Sequence, residues 1–270
     1  MKAPDFAYAK PATLAEALDL LARPGAKALA GGQSLIPSLN MRLSAPELLV
    51  DIGGLPGLSG ISAQGGAVRI GALATHAEIG QSELVAREVP LLAKAVPHVA
   101  HAAIRNRGTL GGSLANADPA AEYPACAVAL EAVIHVAGKS GSRQVRATDF
   151  FKGLFETALK EGELITAVDF PAAKAGDRSV FLELARRHGD YAIVGLAVHN
   201  RRFVAPALTV AEGVPTAVVA LAHDPQTSGG LLAAVAPDEL DDTVRALNSA
   251  GVQAWRVGFV EAGEGVSLSD

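Results

Sequence analysis

One cysteine, Cys126, stands among 270 residues. A single thiol excludes an internal disulfide, a structural zinc site of several cysteines and an iron–sulfur cluster ligated by this chain alone. Aromatic residues are scarce at 4% although half of the chain is hydrophobic, so Ala, Val and Leu must build most of the core. No stretch reaches the ~18 consecutive apolar residues of a membrane-spanning helix. Excess positive charge is missing too. The formal net charge of −5 and a pI near 5.8 leave no electrostatic footprint for nucleic acid. Met1 to Lys10 lack the basic-then-apolar order of a secretory signal, so a cytoplasmic protein is expected. The histidines, at His76, His98, His101, His135, His188, His199 and His223, show no ligand spacing on one helix. His98 and His101 lie three apart but find no third ligand, so no metal is expected.

Glycine, by contrast, is plentiful, and two glycine pairs stand out. Gly31-Gly32 lies in Ala30-Gly31-Gly32-Gln33-Ser34-Leu35, and Gly111-Gly112 in Thr109-Leu110-Gly111-Gly112-Ser113-Leu114-Ala115-Asn116. Each is read as a place where a strand gives way to a turn, beside hydroxyl or amide side chains, where backbone N–H groups can approach a polyanion closely. Two such loops suggest a long ligand with a central pyrophosphate held from both sides; a plain structural turn is the alternative at each. Neither loop is G-x-G-x-x-G or G-x-x-x-x-G-K-[ST], so the Rossmann and P-loop mechanisms do not apply.

Periodicity predicts a helix over 13–22, with Thr13 and Glu16 as a capping pair and Pro24-Gly25 as its stop. Strands are expected at 27–30, 48–52, 68–72, 132–137, 163–170 and 193–198. Helices are expected at 35–43, from Thr75 as cap with Glu78, at 91–99 and at 125–129. Strands and helices interleave without strict alternation, which favours an α+β class. The stretch 203–222 is nearly uncharged and reads as a junction; a different signature, Asp224-Pro225-Gln226-Thr227-Ser228-Gly229-Gly230-Leu231-Leu232, follows it.

Three ordered motifs carry a family resemblance over residues 1–200: the loop from Ala30 to Leu35, the run from Ile104 to Pro119, and Arg186-Arg187-His188-Gly189-Asp190-Tyr191-Ala192. The chain resembles the FAD-binding (medium) subunit of molybdenum-containing hydroxylases, that is, the medium subunit of aerobic carbon monoxide dehydrogenases and the middle region of xanthine dehydrogenases. The resemblance implies a vanillyl-alcohol-oxidase-like (PCMH-type) FAD-binding α+β fold, with an atypical small α/β segment at the C-terminus. It implies an oxidoreductase subunit that takes electrons from an iron–sulfur subunit, itself supplied by a molybdopterin-binding subunit, and passes them to an external acceptor. Residues 1–55 and 56–175 would be the two FAD-binding subdomains, and 176–202 the truncated start of the family's C-terminal domain. Residues 203–222 would be the junction. Residues 223–270 are similar to the C-terminal end of selenide, water dikinase, without that enzyme's ATP-binding half. The alternative reading is therefore a fusion or truncated product with a selenium-related accessory role and no turnover of its own.

The resemblance also assigns site residues. Leu29, Ala30, Gly31, Gly32, Gln33, Ser34 and Leu35 would present amides and side chains to the FAD pyrophosphate. Thr109, Gly111, Gly112 and Ser113 would line the phosphate and ribityl portion. Asn116 would point at the ligand or stabilise its own turn. Glu122 would accept from a ribose hydroxyl or simply favour a helix start. Leu164 or Ile165 would touch the flavin from its strand, and Tyr191 would cover the isoalloxazine, with core packing as the alternative for all three. Arg105 and Arg107 are expected to be surface or partner-facing cations. No residue is assigned a catalytic role, because the cofactor carries the chemistry.

Overall fold

The computed structural model describes residues 2–199, 208–210, 245 and 266–268. The chain divides into two compact units, 1–201 and 202–270.

The first unit opens with strand β1 (Ala7–Ala9), helix α1 (Leu14–Leu21), strand β2 (Ala26–Leu29), helix α2 (Leu35–Asn40) and strand β3 (Leu48–Asp51). α1 starts because Thr13 adopts an extended conformation and its hydroxyl accepts from the Glu16 amide. β3 lies between β1 and β2 and runs parallel to both. Ala17 and Leu21 of α1 pack with Val50, Ile52, Leu55 and Leu58 into a small core of their own. All three strands end at the same edge, where ligands of parallel sheets bind.

The larger part begins with strands β4 (Ile61–Gln64) and β5 (Ala67–Gly71). Helices α3 (His76–Gln81), α4 (Glu83–Glu88), α5 (Pro90–Ala95), α6 (Ala102–Arg105), α7 (Leu110–Asn116) and α8 (Glu122–Ala129) follow. Then come β6 (Val133–Gly138), β7 (Gly141–Arg146), α9 (Ala147–Phe150), β8 (Phe151–Gly153), β9 (Glu156–Thr157) and β10 (Leu164–Pro171). An antiparallel sheet in the order β4-β5-β10-β6-β7 carries the helices on one face. Val68, Ile70, Val168 and Phe170 point from the sheet into a core completed by Leu91, Leu92, Leu110, Leu114 and Tyr123. On its other face Arg69 donates twice to Asp169, at 2.7 Å each, while His135 lies 2.8 Å from the same carboxylate.

One extra residue in β10, between Ile165 and Ala167, breaks the two-residue alternation. Ile165 thereby shares the large core with Val168 and Phe170, while Leu164, on the opposite face by ordinary alternation, packs into the small one. A hairpin of β11 (Ser179–Ala185) and β12 (Ala192–His199) closes the described part of this unit. Phe181 anchors the hairpin to the large core, and Lys94 donates to the Ser179 carbonyl at 2.6 Å. In the second unit β13 (Leu208–Val210) pairs in parallel with β14 (Val266–Leu268). The motif at 224–232 lies outside the described residues.

Cys126 is fully buried in the large core, and burial, with the nearby Glu122 charge, pushes its thiol far above the ordinary range. A thiol held neutral and covered is unreactive. The native chain is therefore expected to release no colour from a thiol-reactive disulfide reagent over an hour and one equivalent after denaturation. Rapid native labelling would contradict this packing.

Candidate functional site

The loop after β2 is shaped by two glycines with different tasks. A Cβ on Gly31 would stand 2.0 Å from the Arg107 carbonyl oxygen and 2.9 Å from the Gly108 Cα. No side chain fits there, so the first glycine lets this loop press on the segment that leads to the second. Gly32 has φ +73°, a left-handed conformation that L-residues rarely adopt. The Gln33 side-chain amide closes the turn by donating to the Gly31 carbonyl at 3.2 Å. The amides of Gly31, Gly32, Gln33, Ser34 and Leu35 donate to no acceptor among the described residues. Five consecutive free donors are the clearest electrostatic feature of the fold, because backbone N–H groups are otherwise almost always paired.

A cleft of about 400 Å³ opens beside this loop. Leu29, Ala30, Gly31, Gly32 and Ile36 form one wall; Lys10, Asp51, Gly53 and Gly54 form another, and Arg107 the rim. Its floor is the strand-end edge of the parallel sheet. Asp51 accepts from the Tyr8 hydroxyl at 2.5 Å and from the Gly53 amide at 2.9 Å. Lys10, Tyr8, Asp51 and Ile36 escaped the sequence reading. The signal for Asp51 was present, as an acid at a strand end followed by Gly53-Gly54.

The second glycine pair is built differently from the first. Thr109 is buried and caps α7, its hydroxyl accepting from Gly112 at 3.2 Å. Leu110 donates to Ala74, Gly111 to Ala72 and Ser113 to Thr109, so the amides at this helix start are already engaged. Gly111 is buried, and a Cβ there would meet the Ala72 Cβ at 2.6 Å. Gly111 thus serves the packing of α7 on the end of β5. What α7 leaves available are side chains: Ser113 and Asn116, both partly buried, lie three residues apart on one helical face. Neither makes a side-chain hydrogen bond among the described residues.

Leu164 and Ile165 are both buried, 6% and 4% exposed, in the small and the large core respectively. Tyr191, just before β12, is 77% exposed and is therefore not a core residue. The turn before it is fixed by Gly189, φ +85°, whose missing side chain admits the Ala100 carbonyl. Arg105 is not a free surface cation: it donates to the Val99 and Ala100 carbonyls at 2.9 and 2.7 Å.

Glu122 opens α8 without capping it. Burial pushes its carboxyl up to about 7, and the nearby charges of Glu183 and Asp118 add to this. Beneath the second loop, His76 packs against Tyr123 with tilted rings whose centroids are 5.0 Å apart, and Gly108 lies against His76 Nε2. Burial first, and Arg105 second, bring His76 down to about 4, so it is neutral at pH 7. The two groups act in opposite directions on stability. Glu122 binds a proton more tightly folded than unfolded, so its contribution is full below about 4.5 and is lost as pH rises to about 7. His76 binds a proton less tightly when folded, so stability is lost as pH falls from 6.5 to about 4. The windows overlap, and only above pH 7 does Glu122 act alone. Glu122→Gln is therefore expected to melt several degrees higher than the parent at pH 8 and no higher at pH 4.5. Parallel melting curves at the two pH values check it, and an equal shift at both would remove the burial argument.

A sequence profile described as the FAD binding domain in molybdopterin dehydrogenase matches residues 4–173. The chain belongs to this family. Its cofactor is accordingly FAD, and the fold described above is the family's FAD-binding α+β fold. The chain is 44% identical over 199 residues to the 6-hydroxypseudooxynicotine dehydrogenase complex subunit alpha of Paenarthrobacter nicotinovorans, covering 73% of this chain and 67% of that one. It is 39% identical over 201 residues to the carbon monoxide dehydrogenase medium chain of Hydrogenophaga pseudoflava, covering 74% and 70%. Among solved structures, quinoline 2-oxidoreductase from Pseudomonas putida 86 superposes with a TM-score of 0.70 at 46% identity, over 72% of this chain and 68% of that one. Carbon monoxide dehydrogenase from Hydrogenophaga pseudoflava gives 0.71 at 40%, over 73% and 69%. These relatives are oxidoreductases or their subunits. Among the described residues no helix is long and apolar enough to cross a membrane.

The residues present fit FAD. Free amides and two cations suit a pyrophosphate; Ser113, Asn116 and a protonated Glu122 suit hydroxyl groups. Among the described residues the one acid lining the cleft, Asp51, already accepts from two donors.

Proposed function

We propose that this chain is the FAD-carrying electron-transfer subunit of a cytoplasmic molybdenum-containing hydroxylase, passing electrons from an iron–sulfur subunit to an external acceptor. The observation that carries the reading is the row of free amides from Gly31 to Leu35 at the strand-end edge of a parallel sheet. When bound, the flavin supplies the redox chemistry. The chain's residues bind and orient it: Leu29 to Leu35 hold the pyrophosphate, and Ser113 and Asn116, with Thr109, Gly111 and Gly112 shaping their helix, bond the ribityl region. Glu122, half-protonated near pH 7, donates to or accepts from a ribityl or ribose hydroxyl. Tyr191, exposed in this chain, would cover the flavin face once the site is filled, while Leu164 and Ile165 support the site from the cores behind it. No general base or nucleophile is needed from this chain. The names of the relatives, a medium chain and a complex subunit, support molybdopterin-binding and iron–sulfur partner subunits.

The test is the absorption spectrum of the purified chain. Flavin bands at near-stoichiometric occupancy, or their recovery on adding FAD, support the reading. A folded, colourless chain that ignores added FAD refutes it.

A further inference from the structure

Two cations border the row of free amides, and the fold delivers them from separate places. Lys10 directly follows β1, and the β1–β3 register sets Ala9 opposite Val50, so Lys10 stands beside Asp51 at the strand-end edge. Its ammonium lies 3.9 Å from Asp51, and its stem passes Gly54, where an added Cβ would sit 3.7 Å from Cε. Asp51 is itself fixed by the Tyr8 hydroxyl and the Gly53 amide, so the carboxylate acts as a rigid post for a mobile ammonium. Arg107 arrives from the larger part of the fold. Its carbonyl is the group on which Gly31 presses, and its guanidinium makes no hydrogen bond or ion pair among the described residues. Several other basic groups are tied elsewhere, among them Arg69 with Asp169, Arg143 with Glu163, Lys139 with Asp19, and Arg105 with two carbonyls.

We propose that Lys10 and Arg107 are the electrostatic anchors of the cofactor's pyrophosphate, closing on it from the two sides of the Gly31–Leu35 amides, with Asp51 and Tyr8 positioning Lys10. The inference rests on the FAD reading and extends it to residues outside the glycine motifs. Two positive charges against one carboxylate leave the cleft with a net single positive charge, and five amide dipoles add to it. A dianionic diphosphate is the group that such a cleft neutralises. Binding carried by exposed cations is screened by salt, whereas binding carried by amides alone is screened much less.

The experiment titrates the full chain with FAD, with ADP (which keeps the diphosphate and lacks the flavin) and with FMN, at low and at high sodium chloride. Lys10→Met and Arg107→Met preserve side-chain length, and Lys139→Ala is a distant control. Each Met variant should bind FAD and ADP about tenfold more weakly than the parent, with a shallower salt dependence. FMN binding should change less, and the control should match the parent. Both Met positions are exposed, and an unchanged melting midpoint confirms that the fold is intact. Parent-like FAD and ADP affinities in both Met variants overturn this proposal alone. A parent chain that binds no FAD overturns the cofactor reading and this proposal with it.

Discussion

Gly31→Ala is expected to give a folded chain that purifies without flavin. The new methyl group would stand 2.0 Å from the Arg107 carbonyl oxygen and 2.7 Å from its carbon. Both are backbone atoms, so neither can swing aside, and the loop must retreat by at least ~1 Å to reach ordinary contact. Such a retreat re-aims the amides that follow. Displacements of ~1 Å at a binding constellation can cost about a hundredfold, and a loss of FAD affinity of that order is the expected result. Stability should change little, because the loop lies at the sheet edge and outside both buried cores. Absorbance of the purified variant and an FAD titration check this; wild-type affinity would show that the loop contact does not set the amide geometry.

Gly111→Val should fail in another way. The added side chain would meet Ala72 at 2.6 Å from its Cβ and 2.9 Å from its carbonyl oxygen. It would push α7 off β5 and strain the bonds from Gly111 to Ala72 and from Leu110 to Ala74, at 2.8 and 3.0 Å. Overpacking of a tight interior contact costs about 3 kcal/mol or more. In a chain of this size that lowers the melting midpoint by roughly 6–12 °C. The decisive comparison is the apoprotein. A large drop in the midpoint without FAD identifies Gly111 as a packing residue. An unchanged apo midpoint with FAD binding lost would identify it as a wall of the ligand site.

These two variants separate what the sequence could say about the glycine pairs from what it could not. Both pairs read alike, as two glycines with a hydroxyl nearby. Gly32 needs its positive φ, Gly31 a close backbone approach, and Gly111 a place for Ala72; two of those three reasons concern residues far away in the chain. The same holds for Arg105 and Arg107, two positions apart and alike in sequence. One is held by the carbonyls of Val99 and Ala100, and the other stands free at the cleft.

Elements governed by local chemistry were legible. Thr13 and Thr75 both cap the helices expected of them, and at Thr75 the reciprocal bond from Glu78 is present. Strands with buried apolar runs, such as Leu48–Asp51 and Leu164–Pro171, fell where expected, to within one residue. The expected helix at 91–99 is instead α5 followed by a single tighter turn at Val96–His98, because Pro97 cannot donate to an α-helical ladder. Strands β1, β4, β7 and β11 went unread. β4 and β7 are largely exposed edge strands of polar composition, and pairing with β5 and β6 is what makes them strands. The sequence by itself determined the α+β class, the caps, the family and hence the cofactor, since these rest on residues adjacent in the chain or on ordered motifs. Only the tertiary structure decided which amides stay unpaired, that Lys10, Asp51 and Arg107 share one cleft, and that Ile165 shares one core with Val168 and Phe170. Each of those outcomes depends on strand register, a bulge or a backbone contact between distant segments, and no local pattern of residues encodes them.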